Sequence, residues 1–321
     1  MDLDRMLAMC RRDQWSIDDL DWDVAPRHLA PEHEIAVCQY FKDMSGIELL
    51  AGELFRVQGE QTDDPTLKAI FESFVVDEQR HSAVAARLCD HYDVHHYQTY
   101  DLNPHLVAFA DPFVSVVNHM PPDVAIAYIT CGELLLDIAL LRSLDDFVDD
   151  EMSRRAMKLI NRDESRHIAI DYYMVGFYSG DDYTDWLEHQ PPKPPAERVR
   201  SLAALLRMLY FAAPFIRRVF FEPMELTDPS GARLLEAFKR MQLLGRKPGV
   251  TERPFAKFVG IVQDLFNDPV LGRVMGPLLA RLIGLPPHVV QTLYTPEEEA
   301  RYGQMTYTEL AEDALAAKTL H

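Results

Sequence analysis

The sequence predicts an all-α fold: four long helices in two pairs joined by a long crossover, with additional C-terminal helices. Three observations predict it. Apolar residues recur at helical spacing almost everywhere, and alternating β-branched runs bounded by turn residues do not occur. Prolines and acidic residues fall where helices start and stop. A D-E-x-R-H string occurs twice, at 77–81 and 163–167, and each copy follows an upstream Glu-Leu-Leu.

The elements follow in order. Residues 1–30 read as an irregular or short-helix lead-in. Pro31 suits the first position of a helix running to about Gln61. Asp64 and Pro65 form a cap and first position for a second long helix, to about His91. Residues 92–121, with Pro104, Pro112 and Pro121, form the crossover and hold one short helix near 104–118. A third helix starts beside Asp123 and runs to about Asp146. A fourth runs from about Asp150 to Tyr178. These four belong to a unit over 31–180, closed by Gly180 and the prolines at 191–195. Residues 181–321 form a further helical region packed on it, with pieces at 196–221, 229–244, 254–266, 269–283 and 296–317.

Composition limits the function. The chain has 321 residues, 48% hydrophobic and 26% charged, which suits an ordinary globular protein. A net charge of −19 argues against nucleic acid as a partner. No run of eighteen or more uncharged apolar residues occurs, so no membrane span is expected; Arg207, Arg217 and Arg218 interrupt the nearest approach. Cys10, Cys38, Cys89 and Cys131 are scattered without a C-x-x-C pair, and the first thirty residues lack a basic segment followed by an apolar one. Both features point to a cytoplasmic protein with reduced thiols and no signal peptide.

The repeated string carries the chemistry. Residues three apart share a helix face, so Glu78 and His81 point together, as do Glu164 and His167. Glu48 lies 30 residues before Glu78, and Glu133 lies 31 before Glu164. That distance carries the chain along one helix and back along the next to the same height. Four carboxylates and two imidazoles then meet at one level of a helical core. Buried together they repel and are costly to desolvate, unless divalent cations neutralise them. A single E-x-x-H reads as surface; two copies, each with its own upstream Glu, read as a metal site. Mixed carboxylate and imidazole donors suit two irons, with manganese as second choice.

On these residues the chain resembles the ferritin-like non-haem di-iron carboxylate proteins, over roughly residues 31–180. The resemblance implies a ferritin-like four-helix bundle. It also implies that Asp77 orients His167, that Asp163 orients His81, and that Arg80 and Arg166 pair with carboxylates around the site. Glu133 and Glu164 are the carboxylates it suggests for movement during oxygen binding. Departures narrow the reaction. Ala85 stands where ribonucleotide reductase small subunits carry a radical Tyr, and Glu48 where they carry an Asp ligand. Ile160 stands where arylamine N-oxygenases carry a third His, and the rubredoxin-type C-x-x-C of rubrerythrins is missing. Asp137, one turn after Glu133, sits where monooxygenase hydroxylases often have Thr, and is the candidate catalytic proton relay. Gly52, one turn after Glu48, leaves room beside the metals or packs helices closely.

The implied activity is an O2-dependent monooxygenase-type oxidation: hydroxylation, N-oxygenation or desaturation of a small organic or carrier-linked substrate. The chain has no flavin, nicotinamide or iron–sulfur fingerprint, so electrons would come from a separate reductase or ferredoxin. The alternatives are an iron-handling ferroxidase or peroxide-detoxifying protein, and a helical scaffold that keeps the metal for stability. A homodimer fits any of these. Residues 193–257 carry a net +7, read as neutralising the acidic bundle or docking an acidic carrier. Ala203 to Phe221 reads as core or interface. His91, His95 and His96 read as a solvated loop.

Overall fold

The computed structural model describes residues 1–317, and the chain is all-helical, with no strand among them. Helix α1 spans Leu3–Arg12, followed by a single 3-10 turn at Ile17–Asp19. The long helices α2 (Pro31–Gln61) and α3 (Pro65–Tyr92) form an antiparallel hairpin. Asp64 accepts hydrogen bonds from the Thr66 and Leu67 amides at the start of α3, with Pro65 in the first turn, where its missing N–H costs nothing. Helix α4 (Pro104–His119) lies in the crossover, capped by Asn103. It leans on α2 at Gly46, where an added Cβ would sit 2.9 Å from Leu106 Cδ2.

Helix α5 (Pro122–Val148) is continuous but contains a π-helical stretch at Leu135–Leu141, which the sequence reading did not foresee. Asp149 turns in the left-handed region, φ 47°, and Asp150 then caps α6 (Glu151–Tyr178) through the Met152 amide. The pairs α2–α3 and α5–α6 meet through contacts of α3 with α6 and α2 with α5.

The remaining helices are α7 (Asp181–Glu188), α8 (Pro195–Thr227), α9 (Ala232–Gly245), α10 (Pro254–Asn267), α11 (Leu271–Ile283), α12 (Pro287–Val290), α13 (Pro296–Gln304) and α14 (Tyr307–Ala317). Helices α7 and α12 were not anticipated, and the last predicted piece, 296–317, is broken at Met305–Thr306, where Thr306 takes the side chain of Glu309. Helix α9 packs on the π stretch of α5 and α14 packs on α6, so these parts of the C-terminal region complete the core.

The basic segment divides in two. Arg240 is buried against Glu236 and Asp313, and Lys247 donates to the carbonyls of Tyr302, Gly303 and Met305. Its Arg198, Arg200, Arg217 and Arg218 stay exposed. Ala203 to Phe221 is likewise two-sided, burying Met208, Ala212 and Phe215 and exposing Leu206, Leu209 and Tyr210. By length and composition two helices could cross a membrane, although neither holds an unbroken uncharged run. The most apolar stretch of α5 is 82% buried inside the protein, and that of α8 only 11%.

Candidate metal centre

Glu48 comes from α2, Glu78 and His81 from α3, Glu133 from α5, and Glu164 and His167 from α6. All six are buried. Donor atoms of Glu48, Glu78, His81 and Glu164 lie within 4.8 Å of one another, and so do those of Glu133, Glu164 and His167. Glu164 belongs to both groups. Its Oε1 lies 3.0 Å from His81 Nδ1 and its Oε2 lies 2.9 Å from His167 Nδ1. Glu78 also reaches both rings, 3.6 Å from His81 Nδ1 and 3.1 Å from His167 Nδ1. The two carboxylates of the repeated strings therefore stand between the two histidines, while Glu48 and Glu133 flank them.

The far side of each ring faces an aspartate. His81 Nε2 lies 3.3 Å from Asp163 Oδ2, and His167 Nε2 lies 3.6 Å from Asp77 Oδ2. Each aspartate thus approaches the histidine of the other string and leaves Nδ1 toward the carboxylates. Arg166 donates to both aspartates, at 3.2 Å to Asp77 and 2.7 Å to Asp163. Arg80 spans the same pair at 3.1 and 3.4 Å. Phe74 and Phe55 wall His167, with ring centroids 4.1 and 5.0 Å away, and keep water from that side.

Electrostatics divides the carboxyls. Burial, reinforced by Glu78 and Glu164, pushes Glu48 well above the ordinary carboxyl range. Burial with Glu164 and Glu78 does the same to Glu133. For Glu164 burial acts upward, but His167 and His81 outweigh it and hold it well below that range. Both histidines are desolvated, which favours the neutral ring, yet the surrounding carboxylates raise them strongly. Asp163 stays ionised, at about 2: burial opposes the charge, and His81, Trp15 and Arg166 overcome it. Buried negative charge is thus balanced by protons held inside the site, which a divalent cation would displace.

Several contributors escaped the sequence reading. Trp15 Nε1 donates to Asp163 Oδ2 at 2.6 Å, and Gln14 bonds to Asp77 and Arg80. The lead-in is therefore a strap closing the aspartate–arginine layer. Asp171 is fully buried with neither carboxyl oxygen hydrogen-bonded. Burial, with Glu164, Asp137 and Glu78 nearby, raises it well above the carboxyl range against the pull of His167. Its signal was available, because 164, 167 and 171 fall on one helix face. Asp137 lies buried in the π stretch, in neither donor group, close enough to act on Asp171. Single-turn π distortions often occur at functional sites.

Of the two readings of Gly52, the structure bears out close helix packing. An added Cβ would lie 3.1 Å from Glu78 Cβ, so α2 and α3 approach closely there. A cleft of about 240 Å³, lined by Leu49, Gly52, Arg56, Val75 and Gln79 among others, also reaches Glu78 from outside at this point. Elsewhere, α3 ends at Tyr92, so His91 and His95 do not share a helix. His95 bonds to Glu34 at 2.7 Å and His96 to Asp93 at 2.9 Å. Cys10, Cys38 and Cys89 are buried free thiols and Cys131 is half-buried.

In comparisons with known proteins, no family model, no curated protein and no solved structure matches this chain.

Proposed function

We propose that this chain is a ferritin-like di-iron oxidase that uses O2 and externally supplied electrons to oxidise a small organic substrate. The observation that carries this reading is a set of buried donor atoms that face one another without well-aligned hydrogen bonds. Both oxygens of Glu48 and of Glu78, Oε2 of Glu133, Oε1 of Glu164 and Nδ1 of His81 are of this kind, although Glu164 Oε1 and His81 Nδ1 stand only 3.0 Å apart. Buried polar atoms are rarely left so, and a cluster of them around one point fits a metal pair. Glu48, Glu78, His81 and Glu164 would hold one ion; Glu133, Glu164 and His167, with Glu78 near, would hold the other.

Two irons held there would supply O2 reduction and attack on a C–H or N–H bond. The chain's own residues do the rest. Asp163 and Asp77 keep Nδ1 of each histidine turned inward, and Arg80 and Arg166 keep those aspartates charged. Asp171, raised well above the ordinary carboxyl range by its burial, is placed to hold a proton beside the ligands, and Asp137 lies next to it. The Gly52 cleft, about 240 Å³, is the route by which a small molecule would approach Glu78. The electron donor in this reading is a separate reductase or ferredoxin. Anaerobic Fe²⁺ titration followed by stopped-flow exposure to O2 tests it. About two irons per chain, with a transient absorption that persists until substrate is added, is the expected result. Zinc or manganese that cannot be exchanged for iron, or oxidised iron released as mineral, would sink it. The small volume of the cleft, about 240 Å³, favours, as a second reading, a ferroxidase whose substrate is Fe²⁺ itself; release of ferric mineral is its signature.

A further inference from the structure

The C-terminal helices carry a second feature, independent of the metal chemistry. Helix α8 is apolar on two faces. Its inner face packs on α4, with Phe215 stacked on Phe109 at 4.2 Å. Its outer face presents Val199, Leu202, Leu206, Leu209 and Tyr210 to solvent, at one-turn spacing, with Tyr210 75% exposed. Helix α11 contacts α8; Gly284, at its end, packs so closely that a Cβ would meet Ala213 Cα at 2.5 Å. On α11 Leu271, Val274, Met275 and Leu278 form another exposed stripe, with Val274 at 73% and Leu278 at 68%. Helix α10, against α11, adds Phe258 and Ile261. Soluble surfaces seldom leave apolar side chains grouped in this way.

Charge identifies what covers the face. Asp and Glu make up 51 of the 321 residues, yet the segments 198–221 and 269–296 contain neither. Arg198, Arg200 and Arg207 are exposed along α8, and Arg217 and Arg218 follow, sharing Glu222. Arg273 and Arg281 are exposed on α11. Apolar stripes edged by arginine, with carboxylates confined to the margins at Glu197, Glu222, Glu225, Asp264 and Asp268, suit an interfacial helix on anionic headgroups. A second copy laid face to face across a two-fold axis would set arginine against arginine.

We infer that the outer face of α8 and α11 docks this protein on the surface of an anionic lipid bilayer. The test is flotation of the full-length chain with vesicles containing about 30% phosphatidylglycerol in phosphatidylcholine, against phosphatidylcholine alone. The expected result is co-flotation with the anionic vesicles, weakened in about 0.5 M NaCl, and partitioning lowered roughly tenfold or more by Leu206→Asp with Val274→Asp. Both positions are exposed, so circular dichroism and metal content should match the unsubstituted chain and separate lost docking from lost folding. Failure to float overturns the inference, as does flotation unchanged in the double variant. A dimer in light scattering that the double variant dissociates, without flotation, also overturns it and gives the face to a second copy.

Discussion

Helices α2, α3, α5 and α6 bury Glu48, Glu78, Glu133, Glu164 and Asp171, whereas α8 and α11 leave Leu206, Tyr210, Val274 and Leu278 in solvent. Each region inverts the usual rule of apolar inside and charged outside. In the first, the carboxylates converge on one point and are ringed by histidines and arginines, so their burial makes sense once cations are counted. In the second, no segment among the described residues lies over the stripes, and arginine is the charged residue between the acidic margins of α8 and α11. The contrast teaches that burial follows from partners rather than from residue type. The buried cluster meets its histidines and arginines within its own core, and in the proposed reading two cations would complete it. The outer face has no partner among the described residues.

Substitutions can break this contrast. Glu164→Ala removes the donor common to both groups and should have the largest effect. Metal retained after gel filtration should fall from about two ions per chain to essentially none, read by elemental analysis. Retention of both ions would show that the buried cluster is not the metal site.

A pH series sharpens the same point. Glu48, Glu133 and Asp171 have raised values in the fold, and so do His81 and His167. Groups raised in this way stabilise the metal-free fold at low pH, and that stability is lost as pH rises through their folded values. The metal-free melting temperature should therefore fall between roughly pH 5 and pH 8. Bound metal replaces the protons, so the gap between loaded and metal-free melting curves should widen with pH. A gap that narrows would contradict proton displacement. Asp163 has the opposite sign: depressed to about 2, its contribution is present above the ordinary carboxyl value and disappears only in strong acid.

Smaller effects test the supporting layer. Asp163→Asn keeps the shape but loses the charge facing His81, and metal affinity should drop by about 10–100-fold. Trp15→Phe removes one donor to Asp163 and should cost less, which a competition titration would rank. Gly52→Ala pushes a Cβ to 3.1 Å from Glu78, with a stability loss on the order of 1 kcal/mol and slower Fe²⁺ loading. At the bottom of the scale, Leu206→Asp alone should leave unfolding free energy within about 0.5 kcal/mol and metal content untouched, in contrast to any change at the buried cluster.

Helix identity and the six converging residues were legible in the chain alone, because both rest on local periodicity. Pro31, Asp64-Pro65 and Asp150 start helices wherever they stand, and an E-x-x-H pair shares a face in any α-helix. The 30- and 31-residue offsets needed only the rise per residue and a short turn. Tertiary packing decided the rest. The π stretch around Asp137 breaks the 3.6-residue period where α9 presses on α5, and no local signal marks it. Trp15 and Gln14 reach the site from about 150 and 60 residues away in sequence, at distances set by how α1 docks on α3 and α6. Leu206 and Leu205 are the same residue type one position apart, yet the first is exposed and the second half-buried. Sequence determines which side chains share a face; only packing decides which faces find a partner.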